Sequence, residues 1–121
     1  MKNQTYRMTM LFDFYGDILT ERQRELFDLY YNEDLSLAEI AENCGISRQG
    51  VRDVIVRAEA AMNELEDKTG LLKRFMRLRE KIDAIEAAAA EIQKLNYRQY
   101  DNPELERLAG EIRTCAAALK E

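Results

Sequence analysis

Three features of this sequence predict an all-α fold. Leu37 to Val56, LAEIAENCGISRQGVRDVIV, carries the spacing of a helix-turn-helix. From Leu71 onward, apolar residues recur at alternating steps of four and three, as in helices that pack along a seam. The 121 residues include one Pro and five Gly, which leaves room for long helices. Together these predict a three- or four-helix head over residues 1–70. A C-terminal arm over residues 71–121 follows, as a coiled coil or helical hairpin.

The elements follow in order. Tyr6 to Leu19 reads as the first helix, with Met8, Leu11, Phe12, Tyr15, Ile18 and Leu19 on one face. Met10 and Phe14 widen its apolar surface. A helix apolar on most sides needs cover on most sides, from its own core or from a second copy of the chain. Thr20 opens the next helix, and Gln23 three residues on completes a capping box. Leu26, Phe27, Leu29, Tyr30 and Tyr31 give that helix a broad inward face, and Asn32-Glu33-Asp34 ends it.

The helix-turn-helix makes specific demands. Two short helices that cross steeply need a small residue at the crossing, and Ala41 stands there. The turn needs a residue that tolerates a positive φ, and Gly45 follows four places later. Ile40, Cys44, Ile46, Val51 and Val54 fill the positions between the helices. Ser36 and Ser47 precede the two helices, where a hydroxyl can cap free N–H groups. The second motif helix is predicted to continue through Ala58, Met62 and Leu65 to a stop at Gly70. Gly50 lowers helix propensity by about 1 kcal/mol and removes bulk where a groove wall or phosphate could approach.

In the arm, Leu71, Phe75, Leu78, Ile82, Ile85, Ala89 and Ile92 make three heptads of a and d positions. Residues 96–102 interrupt the pattern. Asn102-Pro103 restarts it, with Pro at the first helical position, and Leu105, Leu108, Ile112, Cys115 or Ala116, and Leu119 form a second seam. The expected outcome is an antiparallel hairpin, a dimer arm, or both. A homodimer is expected through Phe12, Phe14 and the heptad seam.

The net charge is −5, an unfavourable total for a nucleic-acid binder, but its distribution is uneven. Residues 20–66 hold 11 acids and 5 bases, whereas residues 67–81 hold 2 acids and 6 bases. No apolar run approaches a membrane span, and the two cysteines lie far apart in sequence. Both features predict a cytoplasmic protein with reduced thiols. Catalysis has little to stand on. Histidine is absent, and no phosphate loop, cysteine cluster or serine nucleophile motif occurs. No metal or cofactor is expected.

Binding has a mechanism instead. A helix-turn-helix places the start of its second helix in the DNA major groove. Ser47 would meet phosphate through its hydroxyl or the helix N-terminus. Arg48, Gln49 and Arg52 would reach base edges, and Arg57 the backbone. Lys73, Arg74, Arg77 and Lys81, with Lys68 and Arg79 nearby, form a basic patch for a nucleic-acid backbone, RNA included, or for an acidic protein. Ordinary solvated helix surface is the competing reading of both sets.

Two resemblances join this reading. SLAEIAENCGISRQGVRDVIVRAEAAMNEL, residues 36–65, resembles the promoter-reading fourth region of bacterial sigma factors. MLFDFYGDILTERQRELFDLYYNEDLSLAEIAE, residues 10–42, is similar to the YlxM family, as are ISRQGVRD, residues 46–53, and the GLL that follows. That likeness covers about Tyr6 to Lys81 and stops before the alanine-rich segment and the last helix. It implies a DNA-binding sigma-like helix-turn-helix protein and a regulatory tie to the signal recognition particle pathway, with its RNA or proteins as partners. The alternative is a helix-turn-helix reused for docking protein or RNA of that particle.

Overall fold

The structure, a computed structural model, describes residues 5–120. Six α-helices appear: α1 Thr5–Tyr15, α2 Glu21–Tyr31, α3 Leu37–Cys44, α4 Arg48–Thr69, α5 Leu71–Leu95 and α6 Pro103–Ala118. A 3₁₀ turn, Gly16–Ile18, follows α1, and a π-helical turn, Asn96–Tyr100, lies between α5 and α6. No strand occurs among the described residues, and the fold is all-α. The chain divides into two compact units, with the boundary in the sequence between Leu72 and Lys73.

The first unit is the head. Its α4 packs against α1, α2 and α3. Leu11, Leu26, Phe27, Ile40, Val51, Ile55 and Met62 are fully buried between these helices. Phe27 stacks on Phe12 at 4.8 Å between centroids and meets Tyr31 at 4.5 Å. The first helix stops at Tyr15, four residues short of the sequence expectation. Its 3₁₀ turn rotates the following residues, so Ile18 faces solvent while Leu19 is buried. Phe12 is half-buried and stacks on Phe27, so part of its ring is taken up within the head.

Both ends of α4 are stopped by local chemistry. At its C-terminus Gly70 takes φ +62°, a left-handed conformation that suits glycine. Just before it, Glu66 is a buried carboxylate that accepts hydrogen bonds from two groups. Tyr15 donates its hydroxyl to Glu66 Oε1 at 2.6 Å, and the Leu72 N–H donates to the same oxygen at 2.9 Å. The Thr69 hydroxyl lies 2.6 Å from the Tyr15 oxygen. Burial, then the carboxylate beside it, holds the Tyr15 hydroxyl above its ordinary pKa, so it remains a donor. This network ties α1 to the α4–α5 junction, and the sequence reading did not foresee it.

The second unit is a helical hairpin. Ile82 and Ala89 on α5, Asn96 at the start of the turn, and Ala109 and Ala116 on α6 are buried. Alanine at the seam lets helices approach closely. The turn is pinned by Asn96, whose Nδ2 donates to the Asn102 carbonyl at 2.8 Å while its Oδ1 accepts from the Asn102 N–H at 2.8 Å. The Asn102 side chain in turn caps α6, ahead of Pro103 at the first helical position. At the other end Lys120 Nζ pairs with Asp83 at 2.5 Å and Glu86 at 2.9 Å.

The expected seam is therefore only half-formed within the hairpin. Ile82 and Ala89 are inside, but Leu78, Ile85, Ile92, Leu105, Leu108, Ile112 and Leu119 are exposed. Two helices can shield only one stripe from each other.

Candidate nucleic-acid interface

The motif is built by three local devices. Ser36 Oγ accepts from the Glu39 N–H at 3.1 Å, and Glu39 Oε1 accepts from the Ser36 N–H at 3.2 Å, a full capping box at the start of α3. Gly45 ends α3 at φ +68°, with its N–H on the Ala41 carbonyl. Ser47 Oγ then accepts the Gly50 N–H at 2.9 Å and starts α4. Ala41 is buried, consistent with its role at the crossing, whereas Cys44, Ile46 and Val54 are only half-buried.

Gly50 has a more local reason than the one read from sequence. A Cβ there would lie 3.2 Å from Ser47 Oγ and 3.7 Å from Ile46 Cδ1. The missing bulk makes room for the serine cap and the turn, and the space is filled from within the motif rather than left for a groove wall.

The candidate contact residues all lie on the outside of α4. Ser47, Arg48, Gln49, Arg52 and Arg57 are exposed. Arg48 and Arg52 are one turn apart, on one flank of the helix, with a rise of about 6 Å between them. Arg48 makes no ion pair or hydrogen bond among the described residues. Arg52 lies close enough to Glu59 to favour that carboxylate's charge. Gln49 is occupied, since its Nε2 donates to Asp53 Oδ1 at 2.9 Å. Arg57 sits on the opposite flank, about 14 Å further along the axis than Arg48. So Arg48, Gln49 and Arg52 are brought together, and Arg57 is not. The Gln49–Asp53 pair was readable as an i, i+4 polar pair, and the Ser36–Glu39 box as S-x-x-E.

In the second unit, Arg74, Arg77 and Lys81 form one exposed stripe on α5, at i, i+3 and i+7, and Lys73 is exposed a step around the helix.

A family model described as "Putative helix-turn-helix protein, YlxM / p13 like", UPF0122, matches residues 2–101. The chain belongs to the UPF0122 family. A UPF0122 protein of Thermoanaerobacter sp. (strain X514) is 45% identical over 105 residues, 87% of this chain and 86% of that protein. One from Caldanaerobacter subterraneus subsp. tengcongensis is 47% identical over 85 residues, 70% of this chain and 73% of its own. One from Bacillus thuringiensis (strain Al Hakam) is 44% identical over 96 residues, 79% of this chain and 87% of its own. The UPF0122 match covers the head, α5 and the turn after it, and stops before α6. Among the described residues, no helix is long and apolar enough to cross a membrane.

Proposed function

We propose that this UPF0122 protein is a nucleic-acid-binding regulator that enters duplex DNA with the first turns of α4 and takes part in the signal recognition particle pathway. The observation that carries the first part is the start of α4. A left-handed Gly45 and a Ser47 cap present the N-terminal turn of a long, firmly packed helix, with Arg48 and Arg52 exposed on one flank. Such a turn offers free N–H groups to phosphate and arginines to guanine edges. Gln49 reads adenine when Asp53 releases it, and Arg57 meets backbone further along. Arg74, Arg77 and Lys81, with Lys73, hold phosphate of DNA or RNA. The link to the particle rests on family resemblance alone. The protein works in the cytoplasm as a homodimer, without metal, cofactor or catalysis.

A second reading has its own observation. Glu39, Glu42 and Asp53 are exposed in the motif, and Asp53 engages Gln49. They lower the potential that would attract DNA. In this reading the head docks on a protein or RNA of the particle. Fluorescence-anisotropy titration of pooled duplex DNA and signal-recognition-particle RNA, at several salt concentrations, decides between them. Micromolar or tighter DNA binding that weakens with salt is expected, with at least a tenfold loss in a variant carrying Arg48→Glu and Arg52→Glu. A variant reversing Arg74, Arg77 and Lys81 instead is expected to weaken DNA and RNA alike. Absence of binding to either ligand at low salt overturns the first reading in favour of protein docking.

A further inference from the structure

The hairpin leaves one face uncovered. Leu78, Ile85 and Ile92 follow one another at seven-residue steps on α5, and Leu105, Ile112 and Leu119 do so on α6. All six are between 38% and 68% exposed. The buried seam of the hairpin, Ile82, Ala89, Ala109 and Ala116, lies on the adjacent face of each helix. Each helix therefore carries two heptad stripes. Ile82 and three alanines close the hairpin, and the six large residues of the other stripe remain outside it.

We infer that this face docks onto the same face of a second copy, antiparallel, to complete a four-helix bundle. Three observations commit the occupant. First, a strict seven-residue step on both helices makes a straight double stripe, which matches another pair of supercoiled helices. The depression lined by Leu78, Ile82, Ile85 and Leu119 is a hole for an apolar knob of the same kind. Second, the size fits. α5 rises about 37 Å and α6 about 24 Å, so at roughly 10 Å of width each they present on the order of 600 Å² per copy, at the lower end of the roughly 600–1,000 Å² per partner of a stable interface. Third, the hairpin is charged unevenly along its length. Lys73, Arg74, Arg77, Arg79 and Lys81 crowd one end against the single acid Glu80. The other end, residues 88–111, has five acids and three bases. Parallel docking would bring two basic ends together. Antiparallel docking sets each basic end against the partner's acid-rich end.

This inference deepens the homodimer stated above and does not rest on nucleic-acid binding. Its test is sedimentation equilibrium of the full chain, with circular dichroism to check folding. Wild type is expected to be a dimer at micromolar concentration. A variant carrying Ile85→Asp and Ile112→Asp is expected to be a monomer of unchanged helicity, since both side chains face solvent in the single chain. Phe14→Ser is expected to leave the dimer intact. Arg74→Glu, Arg77→Glu and Lys81→Glu together are expected to weaken the dimer at least tenfold. Adding Glu91→Lys, Glu104→Lys and Glu111→Lys to the same chain is expected to restore it. A monomeric wild type at several hundred micromolar, or a dimer indifferent to Ile85→Asp and Ile112→Asp, overturns the inference. A dimer lost with those substitutions but unmoved by the charge reversals overturns its antiparallel sense. DNA binding by the monomeric variant reads the head separately.

Discussion

In the head, Leu11, Leu26, Phe27, Ile40, Ile55 and Met62 are wholly buried; in the hairpin, the comparably buried side chains are Ala89 and Ala109, while leucines and isoleucines stand in solvent. The difference is one of enclosure. Around α4 three other helices supply walls, so large side chains interdigitate from several directions. The hairpin has two helices, and each can cover only the stripe that faces its neighbour. Alanine there brings the helices close, and large residues other than Ile82 stay out of the seam.

This contrast can be broken in the head first. Phe27 contacts both Phe12 and Tyr31 and has no exposed surface. Phe27→Ala is expected to cost about 3–5 kcal/mol, because a cavity would remain among rigid neighbours. Urea unfolding followed by far-ultraviolet dichroism measures it. A loss below about 1 kcal/mol would mean that the head core is loosely packed.

The hairpin reverses the rule, since adding atoms should hurt more than removing them. Ala109→Leu forces bulk into the close helix contact and is expected to destabilise the hairpin by about 1–3 kcal/mol. Leu108→Ala, one residue away on the open side, is expected to change monomer stability by less than about 1 kcal/mol. Hydrogen exchange of hairpin amides, at concentrations below dimerisation, compares the two. Equal losses would remove the distinction between a small-residue seam and an open apolar face.

Local signals in the sequence were legible where one residue type has one job. Thr20, Ser36, Ser47, Gly45, Gly70 and Pro103 mark helix ends, and each stands at the end it was expected to mark. Which apolar face is covered was less legible. The 4-and-3 spacing from Leu71 looks the same whether one stripe or two are buried, because a period gives direction around a helix but not the neighbour that fills it. The Tyr15–Glu66–Leu72 network joins residues 51 and 6 positions apart, and no local pattern announces a buried carboxylate. At the candidate interface, the spacing found Arg48 and Arg52 on one flank. It assigned Arg57 to the backbone instead, and Arg57 lies on the opposite flank, further along the helix.

Carboxylates extend the comparison to pH. In the head, Glu59 is half-buried, its Oε1 has no hydrogen-bond partner among the described residues, and burial holds its pKa above the ordinary 4.5 despite a hydrogen bond from Tyr31. In the hairpin, the Lys120 ammonium holds Asp83 below its ordinary 3.8. The signs are opposite. The head favours the neutral acid at Glu59, so that contribution is complete below pH 4.5 and is lost as pH rises through the raised value. The hairpin favours ionised Asp83, so its contribution is present above pH 3.8 and is lost as pH falls through the lowered value. Glu59→Gln keeps an acceptor for Tyr31 without the charge. It is expected to match wild type near pH 3.5 and to exceed it at pH 7 by less than about 1 kcal/mol. Lys120→Met is expected to weaken the hairpin at pH 7 and to converge with wild type at low pH. Urea titrations of both variants from pH 3 to 7 check this. A Glu59→Gln head less stable than wild type at pH 7 would mean that the fold uses the charge, through Arg52, rather than tolerating it.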